Sequence, residues 1–195
     1  MEKKYKLTDE TINVDGRILH RIEALKDFGD VKKGDKGGFI EKEDNLSQNG
    51  NCWVYDNAKV YGNAKIYGNA VVFGNAEVFD SAAIYDNALV CDNVEVCNNA
   101  RIYGYGEVYN NAVVRDNAEV YGKARIFDDV EIYGNAQVYD KAEVCENAEV
   151  YGNAKIYGNA RVYCDTVVCD KAEVCGYSKI YGNVVICGNM KFCRK

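Results

Sequence analysis

One imidazole, His20, is the whole supply of side chains that exchange protons near neutral pH without help from their surroundings. A Ser-His-Asp arrangement has no support, and a three-His zinc centre cannot be assembled from a single His. His20 itself stands in Ile18-Leu19-His20-Arg21-Ile22, alternating with apolar residues, which reads as a strand position rather than a catalytic one. The nine Cys show no CxxC spacing, so a zinc site is not expected. Cys164 falls at a turn with nothing nearby to activate it. The thirty Asp and Glu are spread over turn and strand positions without a distinctive pair. No catalytic residue, metal or cofactor is expected from this inventory. The residues with unusual abundance are the sixteen Tyr, and their chemistry is stacking and hydroxyl hydrogen bonding.

The chain has 195 residues, with 24 basic and 30 acidic side chains and a net charge of −6. That balance disfavours non-specific nucleic-acid binding, which depends on many phosphate-neutralising cations. Apolar residues at 48% and charged residues at 28% place the chain among globular proteins. The opening MEKKYKLTDE has charge without a following apolar stretch, so neither a signal peptide nor a membrane span is expected, and the expected location is cytoplasmic.

What positions the side chains is a repeat. Every sixth residue from Val54 to Ile186 is Val or Ile, 23 positions without exception, and Phe192 follows in phase. Four residues after each aliphatic residue comes a small one, Ala in 16 of the 23. Between them sits a turn pair such as Gly62-Asn63 or Asp86-Asn87, suited to positive φ. The remaining three residues, for example Lys65-Ile66-Tyr67, predict a short strand with Ile66 inward and its neighbours outward. A three-residue strand buries nothing alone, so the rungs must stack around a shared core. A period of six fits neither an α-helix nor a heptad.

This pattern resembles the hexapeptide-repeat family across residues 54–192, with a departure just after the aliphatic residue, where Tyr or Phe stands in 16 of 23 repeats. The resemblance implies an all-β, left-handed parallel β-helix with three hexads per coil. At eighteen residues per coil the chain would form about seven to eight triangular coils, a prism roughly 35–40 Å long. The expected organisation is an N-terminal cap over 1–53, the β-helix over 54–192 and a short tail over 193–195. Within the cap, Val14-Asp15-Gly16-Arg17 predicts a β-hairpin, and Ile40, Leu46 and Cys52 suggest an irregular first coil. At the far end Met190 and Phe192 read as a terminal plug, because open strand edges invite aggregation. The segment GDKGGFIEKEDNLSQNGNCWVYDNA is similar to ones on bacterial and phage repeat proteins, many labelled acyltransferases through the repeat alone.

Family acyltransferases use acyl-CoA, a catalytic His and usually a loop that interrupts the hexads. Here the hexads contain no His and no insertion. Folding the sequence at eighteen residues per coil gives columns instead. One face carries Tyr67, Tyr85, Tyr103, Tyr121, Tyr139 and Tyr157, followed by Cys175 and Cys193. This column is either a structural ladder or a platform that binds a ligand or partner. A second face begins with Trp53, Tyr55, Val71, Phe73, Leu89 and Cys91, an apolar patch expected to lie under the cap or against a second subunit. Cys169/Cys187 and Cys175/Cys193 become rung neighbours within disulfide distance, although reduced thiols are the expectation in a cytoplasmic protein. The sequence therefore favours a non-catalytic, oligomeric scaffold. Its partner would be a copy of itself, a host protein or a small nucleotide-like ligand. An acyl-CoA-dependent acyltransferase with an atypical site is the alternative.

Overall fold

A computed structural model describes residues 2–195 and is all-β apart from one turn of 3₁₀ helix, Glu43–Asn45. Strands β1 (Tyr5–Val14) and β2 (Arg17–Ala24) form an antiparallel hairpin, with Asp15 and Gly16 at positive φ in the turn. Strand β3 (Lys36–Ile40) pairs antiparallel with β2 on one side and parallel with Lys59–Val60 on the other. The cap is thus continuous with the first face of the solenoid. From Trp53 onward each hexad contributes a short strand, and the strands sort into three parallel sheets.

Register is uniform. Val60 pairs with Val78, Val72 with Val90 and Ile84 with Ile102, eighteen residues apart in every case. The coils number about nine, more than the seven to eight expected. The difference lies before Val54, where Ile40 already pairs with Val60, and Leu46 with Ile66. Those two partners are twenty positions away rather than eighteen, so the first coil holds two extra residues between Leu46 and Val54. Cys52 is consequently buried in that extra bend instead of occupying a rung. At the other end the last strand runs Lys191–Arg194, so Cys193 and Arg194 belong to the ladder.

The interior is a column of Val, Ile and Ala with essentially no exposure, from Val54 to Val174. Where a polar residue takes the small position, its hydroxyl is satisfied: Thr166 Oγ1 donates to the Tyr163 and Gly182 carbonyls (2.8 and 3.1 Å). Each corner turns through one residue in the left-handed region, filled by Gly, Asp or Asn except at Glu146 and Cys164. Corner Asp residues do a second job. The carboxylates of Asp56, Asp86, Asp140 and Asp170 accept from the backbone N–H of the corner residue one coil on, at 3.1 to 3.3 Å. Several glycines are required by space, Gly38 and Gly176 among them. A Cβ on Gly38 would lie 2.4 Å from the Ala58 carbonyl oxygen, and one on Gly176 would lie 2.0 Å from that of Arg194.

The two ends are finished differently. At the N-terminal end Tyr5 and Phe28 meet Trp53 edge-on, with ring centroids 6.1 and 5.3 Å away. The Tyr5 hydroxyl donates to the Leu46 carbonyl at 2.6 Å. Buried Lys4 donates from Nζ to the Cys52 carbonyl and approaches its Sγ (2.9 and 3.3 Å), and lies over the Phe28 ring. Burial lowers the Lys4 pKa and raises that of Cys52. Among the described residues no aromatic cover of this kind lies over the C-terminal coil. Val184, Val185, Met190 and Phe192 are 39 to 64% exposed, so Met190 and Phe192 do not seal the prism as a plug would.

The terminal coil is instead joined to its neighbour by two disulfides, Cys169–Cys187 and Cys175–Cys193, with Cα atoms 4.6 and 4.5 Å apart. This differs from the expectation of reduced thiols, and the reason is stacking: one-coil spacing brings equivalent cysteines within bridging distance. Each bridge closes a loop of about eighteen residues, a constraint of roughly 3 kcal/mol on chain entropy. Reduction with dithiothreitol, or the Cys187→Ser and Cys193→Ser double substitution, is expected to lower the opening free energy of the last coil by several kcal/mol. Hydrogen exchange over 179–194 would then quicken while exchange near Val120 stays slow. Identical exchange in oxidised and reduced protein would refute the staple.

Candidate functional site

The outward residues of each rung repeat eighteen apart, so like stacks on like. On the third face Tyr67, Tyr85, Tyr103, Tyr121, Tyr139 and Tyr157 form one continuous stack. Their ring centroids lie 4.8 to 5.0 Å apart and their planes diverge by only 1 to 4°. Each contact is worth about 0.5–1.5 kcal/mol beyond burial. The arrangement closes the ring faces against one another. What reaches solvent is a row of ring edges and hydroxyls, together with the outer face of Tyr67, which is 40% exposed at the start of the stack.

The hydroxyls are partly engaged. Tyr103 and Tyr157 donate to Glu119 and Glu173 (3.4 and 2.9 Å), each located one coil on at a separation of sixteen residues. Tyr61 with Glu77 and Tyr133 with Glu149 repeat the arrangement on the first face. The sixteen-residue spacing is present in the sequence but becomes meaningful only once the coil length is known. Burial, reinforced by neighbouring Tyr121 and Tyr157, pushes the Tyr139 phenol up to about 12. Burial and Glu119 raise Tyr103 in the same direction. Burial raises Tyr67, Tyr85 and Tyr121 as well.

The apolar patch on the second face divides. Trp53 is fully buried beneath the cap, and Tyr55 packs against the same core. Val71, Phe73 and Leu89 are half-buried on the rungs beyond it, while Cys91 is buried between its rung neighbours. Burial and Asp92 push the Cys91 thiol up to about 12, and burial raises Cys97 and Cys145 to about 11, so these thiols are poor nucleophiles. The sulfurs of Cys169 and Cys187 and the Asp170 carboxylate lie within 4.8 Å of one another, the geometry of a metal site, but the two sulfurs are joined as a disulfide.

His20 lies on β2, opposite Thr11 of β1, and its Nδ1 is 3.0 Å from the Thr8 carbonyl. It is held within the hairpin, away from the tyrosine stack. The corners carry amide ladders, where one side-chain amide donates to the next: Asn75 to Asn93 to Asn111, and Asn99 to Asn117 to Asn135 to Asn153, at 3.0 to 3.3 Å. Shallow polar grooves follow these corners, one of about 540 Å³ lined by Asp80, Asn98, Asp116 and Asn135 among others. No α-helix long and apolar enough to cross a membrane occurs among the described residues.

Comparison with known proteins agrees with the coil geometry. The YdcK β-solenoid repeat family matches residues 154–170. A 62-residue stretch is 42% identical to the Escherichia coli (strain K12) protein named uncharacterized acetyltransferase YdcK. The match takes in 28% of this chain and 19% of that protein, so the chain spans about a fifth of the length of the relative it resembles. An unbroken six-residue period and three parallel sheets in eighteen-residue register make the chain a β-solenoid, and the matched stretches are similar to a β-solenoid repeat.

Proposed function

We infer that the protein is a non-catalytic scaffold that binds a partner through its regularly spaced outward columns. The observation that carries this reading is the continuous stack from Tyr67 to Tyr157, which holds six phenols in one line without interruption. Rigid display keeps the entropic cost of binding low, because the side chains are ordered before the partner arrives. The placement of His20 within the hairpin supports a structural role for the chain's single imidazole. A nucleotide-like ligand or a host protein, as in phage proteins that sequester small molecules, would meet ring edges and hydroxyls along the column. A base would stack on the outer face of Tyr67. Calorimetry against a nucleotide panel is expected to give binding that Tyr103→Ala or Tyr121→Ala weakens about tenfold, roughly 1.4 kcal/mol. No heat from any nucleotide would discard this ligand class.

Self-association accompanies the display. Exposed Val184, Val185, Met190 and Phe192 at the open end, and half-buried Val71, Phe73 and Leu89 near the cap, are apolar surface suited to a second copy. Light scattering should return a mass above the 21.8 kDa monomer, and a monomer mass at every concentration would remove this part of the reading.

The acyltransferase alternative draws on one observation, the name of the Escherichia coli relative. Under that reading acetyl-CoA must raise the melting temperature, since a ligand bound to the folded state stabilises it. Because coenzyme A carries a nucleotide, a shift alone fits both readings; the scaffold reading expects that no acetyl group is transferred from acetyl-CoA to any acceptor.

A further inference from the structure

Three corner columns run the length of the prism, and two of them are built almost wholly of Asn and Asp. The third breaks. It begins as the others do, with Asn69 donating to Asn87 at 3.1 Å, and then reads Tyr105, Lys123, Lys141, Asn159 and Tyr177 on successive coils. Tyr105 and Tyr177 are 58 and 63% exposed and join no aromatic stack, unlike the tyrosines of the ladder, so their ring faces are open. Lys123 lies 5.9 Å from the centre of the Tyr105 ring. Neither Lys123 nor Lys141 has a carboxylate partner among the described residues, whereas Arg125 and Arg161 on the neighbouring face are both paired with Glu143.

The backbone at this corner adds donors. Where an Asp stands at a corner its carboxylate can take the N–H of the residue one coil on, as Asp86 does for Gly104 earlier in this same column. Gly104 and Gly122 have no side chain to do so, and the N–H groups of Gly122 and Asp140 find no protein acceptor among the described residues. Asp140 is the acidic residue beside the two lysines, with Asp86 three coils before it, and its Oδ2 already accepts from Gly158 N–H at 3.1 Å. A groove of about 450 Å³ runs past Gly122, Lys123, Asp140, Lys141, Gly158 and Asn159. A second, of about 420 Å³, shares Lys141 and Asn159 with it and reaches Tyr177.

We propose that this corner binds a phosphoryl group, bridged by Lys123 and Lys141 with the Asp140 N–H, which faces the Gly122 α-carbon between the two lysine coils, as a further donor. Two ammonium groups one coil apart, ~4.8 Å along the axis, can both reach one phosphoryl group, whose three oxygens match the three donors. A phosphoryl group carried by a nucleoside would place its base against the open face of Tyr105. The site rests on the reading of the prism as a binding scaffold but lies on a different column from the tyrosine ladder.

The test uses inorganic tripolyphosphate and adenosine triphosphate as probes, followed by calorimetry at 0.15 M salt, where purely long-range attraction is screened. The Lys123→Asn and Lys141→Asn double variant restores the residue found at 69, 87 and 159 in the same column, so it should fold, as thermal melting would verify. It is expected to lose at least tenfold in affinity for both probes, while Lys171→Asn on another corner changes neither. Adenosine triphosphate binding at least tenfold tighter than tripolyphosphate, with the excess lost in Tyr105→Asn, identifies a nucleotide. Equal binding identifies a phosphoryl group alone. Absence of binding by wild-type protein, or binding that survives the double lysine substitution, overturns the site. Retention of binding by Tyr103→Ala alongside its loss in the lysine variant supports this corner even if the tyrosine ladder binds nothing.

Discussion

Hydrogen bonding between equivalent residues of successive coils is the constraint from which the rest follows. Tyr67 N–H donates to the Ile84 carbonyl and Val71 N–H to the Ala88 carbonyl, and the same step recurs along all three faces. Because every rung is locked eighteen residues from the next, each outward position is duplicated at the strand spacing of ~4.8 Å. That distance suits flat rings and amides, which is why tyrosines stack and asparagines form ladders. It penalises like charges, and the molecule meets this in two ways. Glu107, Arg125, Glu143 and Arg161 alternate in sign along the second face. Where Glu77 stands opposite Glu95, Lys59 approaches Glu77 at 2.6 Å.

The same register limits what the surface can offer. A tyrosine within a stack has both faces covered by its neighbours, so abundance of aromatic residues does not translate into abundance of stacking surface. Open faces occur where a column begins, as at Tyr67, or where a tyrosine stands among unlike neighbours, as at Tyr105 and Tyr177. Breaks in a repetitive column therefore carry more chemical information than the column itself. The corner with two unpaired lysines is such a break.

The ends of the solenoid show how little the repeat says about its own termination. The N-terminal cap continues the first face as a sheet and drives Tyr5, Phe28 and Lys4 over the open end, so Trp53 is buried rather than displayed. The C-terminal coil has no equivalent cover among the described residues and is joined to its neighbour by two cross-coil disulfides. Unequal finishing makes the last coil the natural place for local opening, since Val184, Met190 and Phe192, which hold inward positions of the repeat, are exposed there.

Much of this was legible in the residues alone. The six-residue period determined the solenoid, the inward Val and Ile column and the outward Tyr column, because alternation across a strand is a local property. The Asp15-Gly16 hairpin was legible for the same reason. Only the tertiary structure decided that Ile40 and Leu46 open the first coil, that the ladder tyrosines shut their faces against one another, and that four cysteines are bonded. It also decided that Trp53 lies beneath the cap. These depend on which coil lies beside which, and on how two extra residues in one bend shift the phase, relations between distant segments that no local spacing contains.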